Sequence, residues 1–160
     1  MNLYLTIKAI HILSSILMIG TGFGTAFYLF RVNRSRNLAA QTVVTREVVL
    51  ADWLFTTPAV IIQPLSGWYL ASMAGWPLTT PWISLSIALY CLAGLCWLPV
   101  VWLQIQMKKM AAAACEKQQP LPGRYWRFAR WWEGLGYPAF TATLIIIMLM
   151  VIKPDTLPFL

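Results

Sequence analysis

Four apolar runs dominate this chain, and each is long enough to cross a bilayer. They cover about residues 3–30, 48–73, 82–107 and 134–152. A helix needs about 20 such residues to span a hydrocarbon core of about 30 Å. Four spans use up most of the 160 residues, so the chain reads as one transmembrane domain, an all-α integral membrane four-helix bundle over 1–160. Charged residues are only 11% of the sequence, whereas soluble domains carry about 25%. That excludes a soluble enzyme and a disordered chain. The first run has no basic segment before it and no clear cleavage site, so it reads as a retained helix rather than a signal peptide.

The net charge of +7 does not imply a nucleic-acid partner, because of where the charge lies. Ten of the twelve basic residues fall between spans one and two (Arg31, Arg34, Arg36, Arg46) or between spans three and four (Lys108, Lys109, Lys117, Arg124, Arg127, Arg130). The 74–81 connection has no charge. The positive-inside rule then places both termini outside in a bacterial inner membrane, with the lipid bilayer as the main partner. The sequon at Asn33 would face the cytoplasm and is a chance match. Arg124, Arg127 and Arg130 alternate with Tyr125, Trp126, Phe128, Trp131 and Trp132. This predicts a separate amphipathic helix over about 122–132, lying in the headgroup layer. Trp68, Tyr69, Trp76 and Trp82 mark the opposite interface. Cys91 and Cys96 lie within an apolar run and count as small hydrophobes.

Polar groups inside the spans carry the functional signal, because each is costly at membrane depth unless paired or wetted. Lys8, His11, Ser15, Met18, Gly22 and Thr25 form one stripe at helical spacing, and Asp52, Thr56, Ala59, Gln63 and Ser66 form another. Ser86, Tyr90, Ala93, Trp97 and Gln104 lie near a third, and Glu133, Tyr137 and Thr141 make a fourth. Asp52, Gln63, Ser66, Tyr90, Gln104, Glu133 and Tyr137 are thus expected to form an intramembrane polar network. Pro58 and Pro64 each remove a backbone donor and should free the carbonyls of Leu54 and Val60. A carbonyl freed at membrane depth must find a partner, so this face should look into protein or water. Asp52 and Glu133 sit near the basic ends of their spans, with Arg46, Arg127 and Arg130 as expected partners. Two readings stay open there: a structural ion-pair cluster, or an entry path for protons or cations. Gly20 and Gly24 permit close helix approach.

His11 is the one histidine of the chain, roughly 9 Å from a midplane near Leu17. Inside a span such a residue is a candidate ligand, since haem iron accepts histidine alone or with methionine. Met148 is the candidate second ligand, and Lys8, one turn away, a candidate propionate partner. A lone histidine excludes a bis-histidine haem or an all-histidine metal site within one chain.

The stretch Lys8-Ala9-Ile10-His11-Ile12-Leu13, with a glycine-rich second half and an Arg31 boundary, resembles the first span of the CopD-like group. That group includes the copper-resistance protein CopD and the HemJ-type protoporphyrinogen oxidases. Over nearly the whole chain the closer resemblance is to a family of bacterial predicted integral membrane proteins of unknown function placed in the same group. The carrying stretches are Ala51-Asp52-Trp53 with Thr57-Pro58, Gln63-Pro64 with Ser66-Gly67, Cys96-Trp97-Leu98-Pro99 through Gln104, and Tyr125-Trp126-Arg127 with Trp131-Trp132-Glu133-Gly134. The resemblance implies haem b on His11. It departs from the HemJ type in having no second histidine, and from CopD in having no Met-rich motif.

Three functions compete on these grounds. One is a haem-b membrane protein with an electron-transfer or oxidoreductase role, needing a membrane redox partner. The second is a permeation protein for metal ions or small molecules, working as a homo-oligomer. The third is a structural accessory subunit of a membrane complex.

Overall fold

The computed structural model describes residues 2–154 and is helical apart from short connections. Four rods run 30 to 36 residues each, about 45–54 Å at the α-helical rise. They are α1 (Leu3–Ser35), α2 and α3 joined as one rod (Leu38–Ala51 and Thr57–Met73), α4 (Pro81–Glu116) and α5 (Gly123–Ile152). All four are apolar enough to span a membrane. Each exceeds the hydrocarbon thickness, and the excess lies at the basic end.

One sequence expectation is corrected there. The helix that carries the 48–73 run begins earlier, at Leu38, after a turn of only two residues. Arg36 adopts a left-handed conformation and Asn37 caps the new helix, its side chain accepting from the Ala40 amide at 3.1 Å. The 122–132 segment is not a separate helix lying flat. It is the first part of α5 and stands with the bundle. Its apolar face (Tyr125, Ala129 and Trp132) finds protein instead of lipid. That face packs with Leu29 and Val32 of α1, Val48 of α2, and Leu103 and Met107 of α4. Arg124, Arg127 and Arg130 stay exposed. Tyr125 is therefore a core residue rather than a headgroup anchor, and its phenol donates to Asn33 Oδ1 at 2.7 Å. At the other interface Trp82 is likewise buried, against Ile83 and Leu149.

Between these ends the rods separate into two pairs. α1 packs along α3, and α4 packs along α5. Little crosses between the pairs at membrane depth. One link is the stacked Phe23 and Phe140 rings, 5.1 Å apart. Another is the Tyr90 phenol, which donates to the Val60 carbonyl at 2.5 Å. That carbonyl is the one Pro64 leaves free, so Tyr90 supplies the partner that the membrane interior cannot. Water drives the close packing of the basic end, whereas lipid gives helices no hydrophobic reason to close.

Candidate functional site

The residues of the expected polar network fall into two groups. The first joins α1 to α3 near the uncharged end. Ser66 lies at 2.8 Å from His11 Nδ1. The single hydroxyl hydrogen of Ser66 goes to the Ile62 carbonyl at 2.6 Å, so its oxygen accepts from His11 Nδ1–H. His11 Nε2 is left to accept from the Gln63 amide at 3.4 Å. Gln63 Oε1 in turn faces the Ser14 hydroxyl. Gly67 makes room for this ring, because a Cβ there would lie 3.1 Å from His11 Cε1. Ser14, rather than Ser15, completes the group; Ser15 turns back to its own helix at the Ile12 carbonyl. Both are one helical turn from His11, so spacing could not choose between them.

This group does not fit an axial haem ligand. The Nε2 lone pair faces Gln63, and Cε1 lies against the α3 backbone. His11 is not part of the wall of the large cavity described below. Met148 sits on an exposed face of α5, and Lys8 is exposed on α1. The three are not gathered around one space.

The second group surrounds a cavity of about 400 Å³ between the two helix pairs. Volumes in this range suit a drug-sized ligand. Gly22, Gly94 and Gly136 line it from three different helices. A Cβ built on any of them meets nothing within 4 Å, so each leaves room for a larger side chain. Most of the remaining wall is apolar or aromatic. Asp52, Tyr90, Gln104, Glu133 and Tyr137, with the threonines Thr25, Thr56 and Thr143, are its polar members.

Asp52 opens a π-helical turn, Asp52–Thr56, in which the Thr57 amide donates back to the Asp52 carbonyl. The wide turn relieves the clash that Pro58 would make with the Leu54 carbonyl of a regular helix. It also brings both Asp52 and Thr56 to the cavity wall. Asp52 is 4% exposed. One carboxylate oxygen accepts from the Thr56 hydroxyl at 2.9 Å, and Gln104 approaches from α4. The Gln104 side-chain oxygen, itself buried, has no hydrogen-bond partner.

The expected arginine partners of the carboxylates are corrected. Glu133 pairs with Arg34 at 3.5 Å, and Arg46 pairs with its neighbour Glu47 at 2.8 Å. Among the described residues Asp52 has no basic partner. Tyr137 is at an exposed edge of the cavity. Sequence reasoning missed Gly94, Gly136 and the Phe23–Phe140 stack. Nothing in hydropathy distinguishes a glycine facing a cavity from one facing lipid. Among the described residues no three His, Cys, Asp or Glu side chains gather as a metal site would require.

A family model described as a predicted integral membrane protein (DUF2269) matches residues 5–154. No curated protein and no solved structure matches the chain.

Proposed function

We propose, for a chain that belongs to the DUF2269 family of predicted integral membrane proteins, a role in binding and passing a lipid-soluble small molecule. The cavity between the helix pairs carries this reading. It is walled by glycines and aromatic rings, and its two carboxylates and Gln104 lie towards the basic end. A molecule with an apolar body and a polar head would enter sideways from lipid, past the Phe23–Phe140 stack. Its head would meet Asp52 and Gln104. Of the functions the sequence leaves in competition, small-molecule permeation is the one these features favour. A haem held by His11 would first have to displace Gln63. The resemblance to the CopD-like group supports the four-span scaffold rather than that ligation. The positive-inside rule orients the basic end to the cytoplasm of a bacterial inner membrane, with both termini outside.

Extraction in native lipid discs tests the proposal. The organic extract should contain a lipid-soluble molecule enriched over bulk membrane. Gly94→Leu projects a side chain into the open space and should remove that enrichment while leaving the protein monodisperse. Identical extracts from the two proteins would overturn the reading.

A further inference from the structure

The cavity's polar end is unbalanced in a way that selects its occupant. Its wall contains two carboxylates and no Lys, Arg or His. Glu133 is answered by Arg34, and the Tyr90 hydrogen is given to Val60. Asp52 accepts from a neutral donor, the Thr56 hydroxyl, with Gln104 beside it. Gln104 is 6% exposed, and its oxygen is an acceptor with nothing to accept. One wall therefore holds a carboxylate without a counter-charge and, beside it, an amide oxygen without a donor. An ionised group at membrane depth is paired or neutralised, and an unmade buried hydrogen bond is costly.

Resting on the binding role proposed above, we infer that the occupant is a lipophilic organic cation with N–H donors, a protonated amine on an apolar body. The ammonium sits between Asp52, its counter-ion, and the Gln104 oxygen, which takes a second N–H. The body lies along Gly22, Gly94 and Gly136. Trp97 and Tyr90 line the cavity further along α4, where they meet the apolar body rather than the charge. A carboxylate head would meet Asp52 with like charge. A neutral alcohol would satisfy one acceptor and leave the charge unanswered.

Equilibrium binding to the protein in lipid nanodiscs tests this, with empty nanodiscs as the partition control. The probes are phenylhexylamine, phenylhexanol and phenylhexanoate. The amine should bind at least about thirtyfold more tightly than the alcohol, and the carboxylate should not bind above the control. Asp52→Asn should erase the preference for amine while still binding the alcohol. Gln104→Leu should weaken the amine about three- to tenfold. Gly94→Leu should abolish binding of every probe. Equal binding of all three probes, all lost in Gly94→Leu, would overturn the cation assignment and leave the cavity reading standing. Amine binding that survives Gly94→Leu would overturn both. If Asp52→Asn loses the alcohol as well, the Gln104→Leu variant decides: an unchanged amine preference overturns the assignment, and a reduced one supports it.

Discussion

At the scale of single residues, His11 and Asp52 show two different fates for a polar group in a span. His11 belongs to a closed set of hydrogen bonds with Ser14, Gln63 and Ser66, so its chemistry is spent on holding α1 to α3. Gln63→Leu removes the amide that serves both His11 and Ser14. It should cost about 1–3 kcal/mol, towards the lower figure because such bonds are worth less in membrane than expected. Reversible unfolding in mixed micelles measures this. A neutral result would mean that the set does not hold the pair together. The sequence made His11 legible as a member of a polar stripe but not its partners. Stripe membership fixes a direction around one helix. It does not say which neighbour stands there or whether that neighbour already satisfies the group. Arg34 illustrates the same limit. It pairs with Glu133, far away in sequence, and nothing in its local spacing marks it over Arg127 or Arg130.

At the scale of elements, the prolines were legible for a chemical reason: a missing donor frees a specific carbonyl. Val60 is the case where the partner can be named. If Tyr90 serves the carbonyl that Pro64 vacates, the two positions are coupled. Tyr90→Phe should cost about 1–2 kcal/mol in the natural chain. In a Pro64→Ala background it should cost little, because the backbone amide that alanine restores then takes up the Val60 carbonyl within the helix. A double-mutant cycle should therefore return a coupling of about 1 kcal/mol, and additivity of the two changes would refute the pairing. Helix ends were less legible. The first turns of the second rod and of α5 are polar on the outside, so hydropathy stops before the helices do. Their buried faces show only at the 3.6-residue period, as with Tyr125, Ala129 and Trp132. By itself that period fits a surface helix on lipid, because the protein face that covers it comes from α1, α2 and α4, distant in sequence.

At the scale of the whole molecule, a tightly packed basic end carries two helix pairs that diverge around a cavity. Stability and binding should then map to different ends. Met107 is fully buried where all four rods meet, and Met107→Ala should cost about 2–5 kcal/mol, as truncation does in a packed core. Phe140 touches the cavity and stacks on a single ring, Phe23, so its side chain already borders empty space. Truncating it creates little new void and removes one aromatic contact worth about 0.5–1.5 kcal/mol. Phe140→Ala should therefore be mild in unfolding experiments. It should also speed the exchange of a bound amine with lipid, because it removes a contact that joins α1 to α5 at the cavity rim. Met107→Ala should leave that exchange unchanged in whatever protein remains folded. If Phe140→Ala proved as destabilising as Met107→Ala, the two pairs would have to be closed in the membrane. The cavity would then be held by packing at its own rim rather than by the basic end, and a ligand could not enter sideways without unfolding part of the bundle.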